Sequence, residues 1–216
     1  MAIYDTEEEQ VEALKSWWKE NGQSTIIGLV VGIALILGWN YWQEHKKDQA
    51  LQASALYDQL MKAVTEGNKE SANKLAVSIQ EQFDATPYAA YSGLLQAKVK
   101  VEQGDMAAAK QILEKIARDS NKELSNIAKL RLVRLMLASG EYEQGLKLIA
   151  EVDPSSTSSF SGNYDELVGD LYVALDRLDE ARTSYQRALS EGYQSPFLQD
   201  KIDDLTAPEK IVENKK

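Results

Sequence analysis

Residues 169–188 read GDLYVALDRLDEARTSYQRA. Gly169 and Tyr172 stand on a first helix, Ala181, Tyr185 and Ala188 on a second, and Asp176-Arg177-Leu178 form the turn between them. Small and aromatic residues at three- and four-residue spacings fall on one face of each helix, so the two helices can approach closely. The turn recurs along the chain. Gly104-Asp105-Met106 is followed by Ala109, Gly140-Glu141-Tyr142 by Gly145, and Asp176-Arg177-Leu178 by Ala181, with 36 residues between equivalent positions. A looser copy, Gly67-Asn68 followed by Ala72, precedes them. Gly or Asp at the turn accepts the backbone that ends one helix and starts the next. A period in the mid-thirties with this pattern predicts a stack of helix–turn–helix units, a solenoid.

The best copy resembles a tetratricopeptide repeat, whose small and aromatic positions Gly169, Tyr172, Ala181, Tyr185 and Ala188 occupy. Earlier copies depart from it. Lys100 stands where an aromatic residue belongs, and Gly145 replaces the alanine, so the array is degenerate. Helices are expected over 69–83, 87–103, 106–119, 122–139, 142–151, 162–176, 179–191 and 196–205. Pro87 and Pro196 suit first-turn positions, with Thr86 and Ser195 as caps. The run PSSTSSFS at 154–161 reads as a loop, and no stretch alternates like a strand. The last helix would cap the final apolar face of the solenoid. Tyr57, Tyr88, Tyr91, Tyr142, Tyr164, Tyr172 and Tyr185 fall at helix-face spacings, either in the core or along the concave groove.

Ahead of the repeats, Ser24 to Trp42 read STIIGLVVGIALILGWNYW without a charge. About 19 residues make a helix of roughly 28 Å, which matches the hydrocarbon core of a bilayer. Trp39, Tyr41 and Trp42 close the stretch with rings that favour the membrane interface. The preceding segment is acidic, with Asp5, Glu7, Glu8, Glu9, Glu12 and Glu20 against Lys15 and Lys19. A cleaved signal needs a basic start and an early small-residue site, so an uncleaved anchor is expected. One helix could run from the anchor through Lys46 to Thr65. Gly28 and Gly32 form a G-x-x-x-G, a candidate helix-packing face. The fold class is therefore all-α, a single transmembrane helix followed by a tetratricopeptide-like solenoid. The divisions are a tail at 1–23, the span at 24–42, the helical domain at 43–206 and a flexible tail at 207–216.

The 216-residue chain has a net charge of −10 and no cysteine. An acidic domain is a poor binder of nucleic acid and of anionic headgroups. Disulfide and thiolate chemistry are excluded, and the redox compartment stays undetermined. His45 is the sole histidine, and no zinc-ligand set, P-loop or nucleophile elbow appears, so no catalytic, cofactor or metal residue is assigned. Lys15 and Lys19 on one side balance Lys46 and Lys47 on the other, so charge by itself leaves the orientation open. A domain on either side of the membrane, including a tetratricopeptide adaptor of other envelope machinery facing the cytoplasm, remains compatible with these features. A hydrolase built on scattered carboxylates lacks a positioned nucleophile–base pair.

The opening carries the most specific motif. Gln10-Val11-Glu12-Ala13, Lys15, Trp17-Trp18 and Glu20-Asn21-Gly22 lead into the span, which ends Gly38-Trp39, Tyr41-Trp42 and His45. Together with Arg131-Leu132 and Arg134, Gly169-Asp170, and Lys201-Ile202 with Leu205, this resembles the YfgM family, the ancillary subunit of the bacterial SecYEG translocon. The resemblance covers essentially the whole chain. It implies a single-pass inner-membrane protein with a cytoplasmic N-terminus and a periplasmic repeat domain. It further implies association with the translocon and with a PpiD-like membrane-anchored chaperone, and help to newly translocated, unfolded client proteins. No cofactor is implied.

Overall fold

The computed structural model describes residues 7–157 and 159–205. The expected tail at 207–216 and the first six residues of the leading tail lie outside the described residues. Among the described residues the regular structure is entirely helical: α1 (Glu7–Thr65), α2 (Lys69–Gln82), α3 (Pro87–Glu102), α4 (Met106–Ile116), α5 (Lys122–Ala138), α6 (Tyr142–Ala150), α7 (Ser161–Ala174), α8 (Leu178–Ser190) and α9 (Leu198–Asp204), with a 3-10 turn at Pro154–Ser156. The chain divides into two compact units, Met1–Gln52 and Ala53–Lys216.

The first unit is the N-terminal part of α1. No helix breaker interrupts it, so the acidic segment from Glu7 onward is helical as well. Ile26, Leu29, Ile33, Ile36 and Leu37 are all exposed, and nothing lies within 4 Å of a methyl placed at Gly28 or Gly32. Bare aliphatic surface on every side is the opposite of a helix in a soluble core, and fits one solvated by lipid. Length and composition suffice for one membrane span here. Trp39 and Trp42 pack at a tilt of 46° with centroids 5.2 Å apart, and the Lys46 ammonium sits 3.7 Å from the Trp42 ring centre.

The second unit is the stack of hairpins. The last turns of α1, from Ala53, pair with α2 around Leu60, Ala72, Ala76 and Ile79. The hairpins α3–α4, α5–α6 and α7–α8 follow, and α9 closes the end. Each repeat turn has the same hydrogen bond. The N–H of Asp105 donates to Lys100 O, that of Glu141 to Met136 O and that of Arg177 to Tyr172 O, at 2.9, 2.8 and 2.8 Å. This closes a Schellman motif, which requires a left-handed residue just before the donor. Gly104 and Gly140 supply it at φ 80° and 77°, and Asp176 takes the same conformation at φ 59°. The 36-residue step is the spacing of these turns. Asn68, Asp105 and Asn121 then cap the following helices, their carboxamide or carboxylate oxygens accepting from Ser71, Ala108 and Leu124 N–H.

Three local expectations need correction. Helix α4 stops at Ile116, short of 119, because Asp119 accepts the Asn121 N–H and the chain turns into the α5 cap. Helix α9 begins at Leu198, so Pro196 lies ahead of it and Ser195 is no cap; the Ser195 hydroxyl donates instead to Glu166 on α7. Thr86 does stand at the α3 N-cap, but its hydroxyl donates back to Phe83 O.

Candidate functional site

The residues that define the repeat sit where hairpins touch. Ala109, Ala181 and Ala188 are fully buried, and Gly145 is buried against Leu171. Tyr185 is 2% exposed, and its ring abuts Gly169, where a methyl would come within 2.8 Å of Cζ and closer still to two other ring carbons. Tyr172 is half-buried and carries the Arg177 guanidinium 4.5 Å from its ring centre. Tyr164 is also core. It donates to the buried Asn126 side chain at 2.8 Å, and burial pushes its hydroxyl up to about 12. These positions pack the hairpins against one another.

A polar lock holds the last helix. The Lys201 ammonium of α9 donates to Asp170 at 2.7 Å and to Glu166 at 2.9 Å, both on α7. The Tyr185 hydroxyl donates to Asp170, and the Tyr193 and Ser195 hydroxyls donate to Glu166. Burial pushes the Glu166 carboxyl up, but the Lys201, Ser195 and Tyr193 hydrogen bonds outweigh it and hold it below the ordinary 4.5. Desolvation likewise pulls Lys201 down, and its two carboxylates more than restore it, leaving it above 10.5. Asp170 and Lys201, noted in the sequence only as parts of a resemblance, are thus one ion pair.

The open surface lies at the other end of the stack. Tyr57 from α1 and Tyr88 and Tyr91 from α3 form a mutually packed triad, with ring centres 5.6, 6.0 and 6.2 Å apart. Tyr91 is 39% exposed, so the triad forms a ledge as well as a joint. Next to it α3, α4 and α5 enclose a groove of about 450 Å³. Leu94, Leu95 and Val101 of α3, Leu113 of α4 and Leu135 of α5 make its apolar wall, and Arg131 and Arg134 stand on its α5 side. Arg131 bridges the helices by donating to Leu94 O at 3.1 Å. Within the described residues neither arginine has an ion-pair partner, whereas Lys62, Lys74 and Lys98 all pair with glutamates four residues away. Burial and the adjacent Arg134 lower the Arg131 pKa from its ordinary value, with the Tyr57 phenol opposing them; the group stays a cation.

Sequence reasoning did not sort the tyrosines and did not single out the arginine pair as a site. A signal existed for the second. The residues three and four away from Arg131 and Arg134 on α5 are Ile127, Ala128, Leu130, Leu135, Leu137, Ala138 and each other, so no helical neighbour can neutralise them. The described residues contain no group of three or more side chains suited to a metal.

Stacked hairpins of this geometry, following a long apolar helix in the sequence, define a tetratricopeptide-like repeat protein, a class that binds other proteins over its helical surface. Residues 15–207 match the family described as a tetratricopeptide repeat-like domain. A relative from Haemophilus influenzae named an ancillary SecYEG translocon subunit is 32% identical over 195 residues, spanning 90% of this chain and 94% of that one. A relative of the same name from Escherichia coli is 28% identical, spanning 95% and 100%. Among solved structures, MamA from Desulfovibrio magneticus RS-1 aligns with a TM-score of 0.55 at 14% identity, over 71% of this chain and 82% of that one, a likeness of fold. The chain belongs to the family of ancillary SecYEG translocon subunits.

Proposed function

We propose that this protein is a membrane-tethered interaction scaffold at the SecYEG translocon, where it assists periplasmic chaperones with newly translocated proteins. The observation that carries the reading is the bare apolar stretch of α1 in a chain whose relatives bear the translocon subunit name. In this reading α1 crosses the inner membrane once, the tail before Ser24 is cytoplasmic and the repeat domain is periplasmic. A PpiD-like membrane-anchored chaperone and unfolded clients are its further partners. An extended helical surface suits such partners, because it offers many shallow contacts rather than one enclosed site. The role is non-catalytic.

Protease added to spheroplasts tests the topology. The repeat domain should be digested while intact cells protect it and a cytoplasmic marker survives. A domain that resists until the membrane is lysed would assign it to the cytoplasmic side and end this reading.

A further inference from the structure

Among the described residues, the groove between α3 and α5 joins a leucine-lined wall to two arginines, Arg131 and Arg134, that have no ion-pair partner. We infer that it binds an extended peptide segment in which a carboxylate side chain is flanked by aliphatic ones, with Arg131 and Arg134 taking the carboxylate and the leucine-lined wall taking its neighbours. The inference rests on the reading of the repeat domain as a protein-binding scaffold and names the chemistry of its ligand.

Charge complementarity selects this occupant. The whole chain carries a net charge of −10, so an acidic peptide is repelled from most of the surface. Arg131 and Arg134 are cations without an ion-pair partner among the described residues, and two like charges three residues apart repel each other until an anion arrives. A guanidinium pair receives a planar carboxylate through bidentate hydrogen bonds, which a lysine pair would not reproduce. Arg131 is already oriented by its bond to Leu94 O, so less side-chain entropy is lost on binding. The volume of about 450 Å³ falls in the range of sites that accept a few aliphatic side chains. The Tyr57–Tyr88–Tyr91 ledge extends the surface beside the arginines and lets a peptide continue along it.

The test uses the full chain in zwitterionic lipid nanodiscs. The probe is a fluorescein-labelled Leu–Asp peptide in which three Leu–Asp–Leu triplets are spaced by Gly–Ser, read by fluorescence anisotropy, with empty nanodiscs subtracted. Two control peptides carry Asn for Asp or Ser for Leu. Arg134→Gln removes a charge that makes no structural hydrogen bond, and Lys147→Gln removes an exposed charge on α6, away from the groove. The expected result is binding of the Leu–Asp peptide that weakens about fivefold or more in Arg134→Gln, at unchanged helical content, and by less than about twofold in Lys147→Gln. Both control peptides should bind more weakly than the probe. Equal binding of the Asn peptide, insensitivity to Arg134→Gln, or no binding to the wild-type chain would overturn the inference. Loss of peptide binding on adding phosphatidylglycerol to the nanodisc would give the arginines to lipid headgroups and also overturn it. If the peptide fails while the chain still co-purifies with the translocon, only the ligand chemistry falls. If co-purification fails, the scaffold reading falls whatever the peptide does.

Discussion

Gly169→Ala is the sharpest perturbation of the repeat packing. Alanine is the better helix former, by about 0.5–1 kcal/mol in a helix interior, so on local grounds the change should stabilise α7. Packing opposes it. A methyl at this position would lie 2.8 Å from Tyr185 Cζ and nearer to two further ring carbons, well inside van der Waals contact. The ring cannot step aside freely. Its hydroxyl is bound to Asp170 at 2.7 Å, Asp170 is bound to Lys201 of α9, and the side chain is 2% exposed. Overpacking a site of this kind costs about 1–3 kcal/mol, and the lost ion-pair geometry adds to it. The net expectation is destabilisation by about 1–3 kcal/mol, read as a lower urea midpoint of the far-UV helical signal. Gly145→Ala is the internal control. Its methyl would meet the Leu171 Cδ atoms at 3.1 Å and Cγ at 3.7 Å, a milder approach than at Gly169, so with the helix gain Gly145→Ala should cost clearly less than Gly169→Ala. A Gly169→Ala midpoint at or above wild type would refute the packing of α7 on α8 described above.

Ala181→Leu should destabilise the domain by about 1–3 kcal/mol and so lower the same midpoint, because Ala181 is fully buried where α8 meets its neighbours; an unchanged midpoint would count against the repeat register. Glu166 titrates below its ordinary 4.5 in the folded chain, so its contribution is present above that pH and is lost as pH falls through the depressed value. Amide protection of α9 should therefore drop below about pH 4.5 in the wild type, measured by hydrogen exchange normalised to intrinsic rates, and that drop should be lost or reversed in Lys201→Met, where burial of Glu166 is no longer opposed by the ammonium. Replacing Gly28 and Gly32 with Leu blocks close helix approach without shortening the span, so the variant should insert normally yet co-purify less translocon after mild detergent extraction. Undiminished recovery would leave those glycines without a packing role.

Legibility in the sequence followed the range of the interactions. The turns at Gly104, Gly140 and Asp176 were visible because a Schellman motif is built within six residues, and its cap residue, Asp105 or its equivalent, is adjacent in the chain. The bare stretch of α1 was visible because a membrane helix needs no partner to be recognised. Ser195 was misread because its hydroxyl has two uses: local propensity favours a cap, but Glu166 on α7 lies within reach and is buried. Likewise Lys201 reads as an ordinary surface lysine until α9 folds back onto α7 and brings Asp170 to it. The tyrosines could not be sorted because Tyr164 and Tyr91 share the same helical spacing; which face meets another hairpin depends on the stacking. Arg131 and Arg134 lacked helical counter-charges in the sequence, but only the gap between α3 and α5 makes that a groove.

The repeat domain is expected to bind proteins at the translocon through the surface around Tyr91 and Leu135. A photo-crosslinking amino acid placed at each of these two positions, and at Lys147 on α6 as a control, tests it in intact membranes of secreting cells. Adducts with translocon, chaperone or newly translocated chains are expected from Tyr91 and Leu135, and few from Lys147. Equal labelling from all three positions, or none from the groove positions while α1 still inserts, would contradict it.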